Sequence, residues 1–180
     1  WADLDENIGG SQGVSGSHGG IDLSTSGSQR PSATYMPGSG RGFNIGGSGA
    51  SNYNTIEMLN VATLGAVSNF GNLAAVTWHI ASCSSKTRIV TSGNDGATNT
   101  LESIETTSAG ISADFGDATV SRRSPGALSS ATRGVFGGGN EPDAAINVID
   151  YVTIATAGNA SDFGDLTVAR AYATGGNSPT

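Results

Sequence analysis

Paired carboxylates are the residues in this 180-residue sequence whose types and spacing most directly suggest chemistry. They flank a Phe-Gly dipeptide twice, as Asp114 with Asp117 and as Asp162 with Asp165. Two carboxylates at this spacing are able to bind calcium or to act as a general acid and base. A third Phe-Gly segment has Asn69 and Asn72 at these positions, which excludes a catalytic role shared by all three segments. We therefore expect these side chains to stabilise turns by hydrogen bonds to the backbone.

The histidines and the cysteine are equally poor candidates for catalysis. His18 and His79 have unrelated neighbours, so we expect neither a histidine metal site nor a catalytic dyad. Cys83 is the single cysteine, which excludes an intramolecular disulfide and a cysteine-based zinc site. It lies in an ASCSS segment typical of a strand, where we expect a small buried hydrophobic residue rather than a reactive thiol. We predict a protein that is not an enzyme, with no catalytic residues, metal or cofactor.

Composition and charge narrow the function classes further. The chain has 8 Lys and Arg residues against 15 Asp and Glu residues, a net charge of −7, and Lys86 is its one lysine. No basic cluster extends beyond Arg122 and Arg123, so we expect no nucleic acid partner. No apolar run approaches about 18 residues, so we predict no membrane span. An acidic, lysine-poor chain with 28 glycines suits many short strands and a virion or other extracellular setting.

The elements that position these residues follow from an internal repeat. A stretch of twenty residues occurs three times without an insertion, at 54–73, 99–118 and 147–166. Its Phe-Gly dipeptide begins at Phe70, Phe115 and Phe163, which gives spacings of 45 (115 − 70) and 48 (163 − 115) residues. Periods in the forties are typical of propeller blades or solenoid repeats. We expect each phenylalanine to anchor its copy by burying its ring, at about 2–3 kcal/mol each.

Each copy opens with an arginine, at Arg41, Arg88 and Arg133, before a short apolar run that ends in glycine. The alternation of apolar and small residues predicts a half-buried strand. Because the arginines recur at one position, we expect them to link adjacent blades by hydrogen bonds to backbone carbonyls or an aspartate. A second repeat position, eleven residues before each opening position, is occupied by Arg30, Thr77, Arg122 and, in the last copy, Arg170.

The loops that follow the opening strands differ in length and sequence: GSGASNY, NDGAT and GNEPDAAI. Variable loops on one face of a repeat scaffold are the usual binding surface. Tyr53 is the best single candidate for recognition, because its ring is able to stack on a sugar. The predicted binding residues are Tyr53, Asn54, Asn94, Asp95, Asn140, Glu141 and Asp143.

With the unit laid out in this way, it resembles the kelch repeat. RGVFGGG is similar to the kelch strand that ends in a double glycine, NVIDYV to the strand after the variable loop, and FGDLTVAR to the segment in which an aromatic residue precedes a leucine and an arginine. Phe stands where kelch repeats usually have Trp, and Tyr151 alone matches the usual Tyr. The resemblance covers about residues 22–180. Val152–Arg170 and the Arg133 run also resemble repeats in tail and other virion structural proteins of marine bacteriophages.

The resemblance implies an all-β fold, a kelch-like β-propeller or propeller segment of four-stranded antiparallel blades. We expect a single propeller domain with about three full blades, at 41–87, 88–132 and 133–180, after a degenerate N-terminal repeat at 1–40, where Leu23 takes the phenylalanine position. Kelch propellers generally have more blades, so either this is a small four-bladed ring or other chains or segments complete it. The sequence begins with Trp1, and we expect a processed product or part of a longer polypeptide.

The expected function is a non-catalytic structural or adhesive one in an extracellular particle, with a bacteriophage virion (tail, fibre or decoration) as the leading case. The partners would be neighbouring subunits of an oligomer or larger assembly, and a host surface glycan. One alternative is a galactose-oxidase-like kelch enzyme, which needs a copper site of Tyr and His ligands and a cysteine cross-linked to a tyrosine. The other is an intracellular kelch adaptor that binds a partner peptide. Two scattered histidines disfavour the enzyme, and the scarcity of lysine disfavours the adaptor.

Overall fold

The described part of the chain folds into strands and turns. The computed structural model describes residues 40–61 and 65–177, and these residues contain no helix, so the all-β prediction is confirmed. The degenerate copy predicted at 1–40, with Leu23 and Arg30, lies outside the described residues apart from Gly40. The strands in the described part are β1 (Arg41–Ser48), β2 (Asn52–Asn60), β3 (Ser68–Asn72), β4 (Ala81–Ser84), β5 (Arg88–Ser92), β6 (Thr98–Glu105), β7 (Gly110–Ile111), β8 (Ala113–Arg122), β9 (Gly126–Ser129), β10 (Arg133–Gly137), β11 (Asn140–Glu141), β12 (Ala144–Ala145), β13 (Val148–Thr153) and β14 (Ser161–Asp165).

Most of these strands belong to four-stranded sheets. The first sheet has the order β1-β2-β3-β7, the second β4-β5-β6-β8 and the third β14-β13-β10-β9, while β11 and β12 form a separate two-stranded ladder. Every pair in the second and third sheets is antiparallel. In the first sheet the two-residue strand β7 is parallel to β3, so this sheet is not the fully antiparallel blade that the sequence predicts.

The second and third sheets begin one strand earlier than the predicted blade boundaries. Strand β4 lies in the predicted blade 41–87 but pairs with β5, and β9 lies in 88–132 but pairs with β10. A tight turn makes each pair a hairpin: the amide of Ser85 donates to the carbonyl of Arg88, and that of Ser130 donates to the carbonyl of Arg133, both at 2.8 Å. Arg88 and Arg133 therefore begin the second strand of their sheets, because the shortest connection decides which strands pair.

The three twenty-residue windows share one strand pairing in their described residues. In every sheet the same cross-strand pair is followed by a β-bulge that leaves the repeated phenylalanine without an opposite residue. The equivalent pairs are Ile56–Gly71, Leu101–Gly116 and Ile149–Gly164. The sequence repeat is therefore also a structural repeat.

The sheets pack face to face in chain order. The first and second sheets share a core of Ile56, Phe70, Leu73, Ile89 and Ile104. The second and third sheets share a core of Cys83, Val90, Leu101, Phe115, Phe136, Val152 and Ile154. The second sheet contributes to both cores from adjacent residues of one strand, Ile89 and Val90, because successive side chains of a strand point to opposite faces. It is therefore covered on both sides.

The Phe-Gly dipeptide makes two distinct contacts with the following copy. The Phe115 ring is 2% exposed within the core between the second and third sheets. Gly116 has a φ of 139°, and a Cβ there would lie 2.5 Å from the carbonyl carbon of Gly158, in the turn of the next copy. The amide of that glycine donates to the Phe115 carbonyl at 2.7 Å. Only a residue without a side chain permits this approach.

Phe163 corrects the prediction that every copy buries its phenylalanine. Phe70 and Phe115 are buried, but the Phe163 ring is 53% exposed and rests edge-on against Tyr151, with ring centroids 6.0 Å apart. The reason is positional, because no later sheet covers this face of the third sheet among the described residues. Nothing lies within 4 Å of a Cβ at Gly164, the glycine of the same dipeptide.

Replacement of Phe115 and Phe163 by alanine separates the two environments. We expect Phe115→Ala to lower the free energy of unfolding by about 3–5 kcal/mol, because it leaves a cavity between two sheets. The matched variant Phe163→Ala should cost less than about 1 kcal/mol, because its ring is already half in water. Urea denaturation of both variants measures the difference, and equal losses would contradict the stacking order.

Candidate functional site

One end of the stacked sheets is organised by a segment that recurs between copies. This recurring segment is 77–79 in the first described copy, 122–124 in the second and 170–172 in the third. Its third residue has a left-handed backbone in each of these copies, with φ of 64° at His79, 53° at Ser124 and 57° at Tyr172. The Ser124 amide donates to the His79 carbonyl at 2.7 Å, and the Tyr172 amide donates to the Ser124 carbonyl at 3.0 Å. This backbone ladder joins the copies at the end where the variable hairpin loops lie, which we call the loop end.

The hairpin loops are bonded to the same segments. The amide of Gly47, in the hairpin of β1 and β2, donates to the Thr77 carbonyl at 3.0 Å. Asn140, in the loop between β10 and β13, exchanges two backbone hydrogen bonds with Arg123, at 2.9 and 3.0 Å. The ladder therefore brings loops from different sheets to one surface.

A buried ion pair fixes the third sheet against the second below this surface. The guanidinium of Arg122 donates to the Asp150 carboxylate at 2.5 Å, and neither side chain is exposed. Arg122 also donates to the carbonyls of Phe136, Gly138 and Val148, at 3.1–3.3 Å. Desolvation lowers the pKa of Arg122, while Asp150 opposes that shift. The pair is therefore a strong positional constraint, since separating its members would leave a buried charge without a partner.

The acidic half of this pair recurs in every copy, as Glu57, Glu102 and Asp150. The Glu102 carboxylate accepts a hydrogen bond from the amide of Ala74 at 3.3 Å and from the hydroxyl of Ser112 at 2.5 Å. The Asp150 carboxylate accepts from the Thr119 amide, which is the position equivalent to Ala74, at 3.2 Å. Both interfaces between sheets thus use the same acid-to-amide contact, and Arg122 adds its charge to one of them.

The opening arginines contact the sheet that follows their own. Arg41 donates from Nη1 to the carbonyl of Thr106 at 2.9 Å, across the first interface. Arg88 donates to the carbonyls of Ile154 and Ala155 at 3.1 and 3.0 Å, across the second. Arg133 instead stacks on the Tyr151 ring of its own sheet, with its guanidinium carbon 4.5 Å from the ring centroid.

The paired carboxylates at the Phe-Gly dipeptides bond to the backbone. Asp114 Oδ1 accepts from the amide of Gly116 at 3.3 Å, and Asp162 Oδ1 accepts from the amide of Gly164 at 3.1 Å. The predicted side chain to backbone hydrogen bonds are confirmed at these two positions. Each bond spans the bulge that carries the phenylalanine.

Two predicted binding residues at the first hairpin belong to a strand instead of a loop. Tyr53 and Asn54 lie in β2, because a bulge between Ile45 and Gly47 lets the hairpin continue to the pair Ser48–Asn52. The Tyr53 ring is partly exposed beside an open cavity of about 550 Å³. The residues that line the cavity are Asn44, Gly46, Gly47, Ser48, Tyr53, Thr55 and Glu57.

Asn140 and Glu141 are likewise not in an irregular loop. They form β11, which pairs with β12, and Asn140 is buried beside Arg123. Asn94 accepts the amide of Asp95 at 2.7 Å through its side-chain oxygen, so it stabilises its turn. Of the predicted residues in these two loops, Glu141 is an exposed carboxylate, and Asp95 and Asp143 are solvent-accessible carboxylates that form ion pairs.

A charged cluster, which sequence reasoning did not find, brings these two carboxylates together. Arg123 donates to Asp143 Oδ1 at 2.8 Å and lies 4.0 Å from Asp95 Oδ1, while His79 Nδ1 lies 3.2 Å from the same Asp95 oxygen. The Tyr172 ring stands edge-on to His79, with ring centroids 6.0 Å apart. The repeat contained a signal for it, because His79 and Arg123 occupy the recurring segment.

The loop end therefore offers carboxylates, a guanidinium and exposed aromatic rings, a combination suited to hydroxyl-rich or polar partners. Within residues 40–61 and 65–177, no three His, Cys, Asp or Glu side chains are grouped so as to hold a metal ion. In the same part of the chain no helix is long and apolar enough to cross a membrane. The predicted burial of Cys83 is confirmed, and desolvation raises the pKa of its thiol to about 12.

Comparison with known proteins indicates no function, so the functional argument rests on the geometry of the loop end. No protein-family model matches the chain, and no curated protein matches its sequence.

Removal of the Asp150 carboxylate tests the buried ion pair. We expect Asp150→Ala to lower the free energy of unfolding by about 3–5 kcal/mol, because Arg122 would keep its charge in a dry interface. The matched variant Glu57→Ala changes the same repeat position where it is partly exposed, and should cost less than about 1 kcal/mol. Chemical denaturation measures both variants, and a small loss in Asp150→Ala would refute the constraint.

The contribution of the Cys83 thiol to the free energy of unfolding should depend on pH. Its folded pKa of about 12 exceeds the usual value of 9.0, so the fold favours the protonated thiol and this contribution is complete below pH 9. It should fall by up to about 1.4 kcal/mol per pH unit between pH 9 and 12, because the unfolded chain releases its proton first. The measurement is the unfolding free energy against pH, with Cys83→Ala as the reference. A difference between the two proteins that does not change above pH 9 would contradict the shift.

Proposed function

We propose that this chain is a non-catalytic structural or adhesive component of an extracellular particle, a bacteriophage virion, and that its loop end is the contact surface. In this proposal the stacked sheets are blades of a kelch-like propeller or propeller segment. The equivalent bulges, the face-to-face order and the arginine contacts between neighbouring sheets support that architecture.

The observation that carries the proposal is where the copies differ. The length difference between them lies in the hairpin loops: three residues separate β1 from β2, whereas the connection from β10 to β13 contains its own strands β11 and β12. The same loops are bonded to the recurring segment at the loop end. A constant scaffold with divergent loops at one end is the usual design of a recognition module.

The chemistry of the loop end suits a host glycan or a neighbouring subunit as partner. Tyr53 and Tyr172 are exposed rings, and planar rings bind the apolar faces of sugars. Asp95 and Asp143 supply acceptors for hydroxyl groups, and Arg123 holds both carboxylates in place. These groups come from different copies, so a ligand that contacts all of them would bind only when the sheets are packed together.

A glycan array tests the adhesive role. We expect the purified chain to bind a defined subset of glycans, and Tyr53→Ala and Asp143→Ala each to weaken that binding about tenfold, the loss for one anchor worth about 1.4 kcal/mol. The control is Ile111→Ala, which removes an exposed apolar side chain of β7.

Two outcomes would count against this proposal. Binding that is equal in the loop variants and the control would place recognition elsewhere. Immunogold electron microscopy with antibodies against the chain should label phage particles, and labelling confined to the host cytoplasm would instead support an intracellular adaptor.

A further inference from the structure

The third sheet presents a face that is built like an interface but that no other sheet of residues 40–61 and 65–177 covers. This trailing face carries Arg133, Ile149, Phe163 and Arg170, which are partly or fully exposed. The residues at the position of Ile149 in the other sheets, Ile56 and Leu101, are fully buried. Each side chain of the trailing face thus has a buried or bonded equivalent in an earlier sheet.

The first sheet presents the complementary face. Its leading face carries Glu57 and Leu59 of β2, and Val61 just after that strand. Ile56 of β2 packs on the second sheet, so the alternating side chains from Glu57 onward point away from it. The equivalent residues of the third sheet are Asp150, Val152 and Ile154, which are buried against the second sheet. Val61 is 68% exposed, whereas Ile154 is 0% exposed. The leading face therefore has the residue types of a covered face, but none of the three sheets in the described residues packs on it.

We propose that the trailing face of one copy of this chain docks onto the leading face of a second copy, head to tail. The interface between the second and third sheets is the template. Arg170 would meet Glu57 as Arg122 meets Asp150. Arg133 would reach the carbonyl of Val61 as Arg88 reaches that of Ile154. A second copy of this chain is the partner, because its charged and apolar residues match the trailing face at equivalent repeat positions.

The geometry of such a contact decides the form of the assembly. A head-to-tail contact uses two different surfaces, so each bound copy still offers a free face to the next. Repetition produces a closed ring where the rotation closes and an open filament where it does not. The inference concerns the end faces and not the loop end, and it stands whether or not the loops bind a glycan.

Charge reversal in sedimentation experiments tests the contact. We expect the full chain to associate with increasing concentration, and Arg170→Glu or Glu57→Arg alone to weaken association at least about tenfold. The variant with both changes should associate like the original chain, because the swapped charges match again. Ile111→Glu, which adds an acidic residue to the exposed edge strand β7 and leaves Arg170 and Glu57 intact, should leave association unchanged. A chain that stays monomeric up to about 1 mM, or a double variant that is not restored, would overturn the proposal.

Cross-linking distinguishes this contact from a symmetric dimer. Copies with Arg170→Cys are mixed with copies with Glu57→Cys, and the native thiol of Cys83 is buried and does not interfere. A disulfide between the two kinds of copy is expected. Disulfides that form equally well within either single population would overturn the head-to-tail arrangement. Because Glu57 lies beside the Tyr53 cavity, glycan binding is measured on the Arg170→Glu protein, so that each proposal fails on its own readout.

Discussion

The packing of each sheet on the face of the next is the constraint on which the rest of the structure depends. One sheet of a tandem repeat cannot bury its apolar face alone, and stacking on a neighbouring sheet buries it. The repeated Phe-Gly dipeptide joins them: the ring fills the space between sheets, and the glycine lets the next copy's turn approach the backbone. Phe115 with Gly116 shows both contacts, whereas Phe163 with Gly164 shows the dipeptide on a face that no other described sheet covers.

The buried pair of Arg122 and Asp150 adds specificity to this packing. Two apolar faces can shift relative to each other at a small cost in free energy. A buried charge cannot shift in this way, because it would lose its oppositely charged partner. Arg122 reaches three carbonyls and one carboxylate of the third sheet, so a shift along a strand would break several bonds together. The first interface has no such ion pair, because Thr77 occupies the position of Arg122. There Glu102 accepts hydrogen bonds from the Ala74 amide and the Ser112 hydroxyl. The copies therefore share an architecture without sharing every bond.

The sequence was enough to predict what depends on periodicity. The all-β fold, the common conformation of the repeated windows and the burial of Cys83 follow from alternation and from the repeat itself. The repeat pattern carries no information about which sheets lie next to a given copy. It could therefore not predict the exposure of Phe163 or the strand at Tyr53. It also missed the sheet boundaries at Ala81 and Gly126, since a hairpin turn joins strands of two predicted blades. The cluster around Arg123 depends on three segments that are distant in sequence, which a single-copy pattern does not relate.

The division between constant faces and variable loops has a physical cause. A substitution on a sheet face must satisfy the neighbouring sheet, and Gly134 illustrates how tightly, because a Cβ there would lie 2.1 Å from the sulfur of Cys83. A hairpin loop has solvent on one side and needs only to preserve its backbone bonds to the recurring segment. Insertion of β11 and β12 between β10 and β13 keeps the bonds between Asn140 and Arg123, and the stack below is undisturbed. Loops can therefore diverge copy by copy while the faces remain interchangeable.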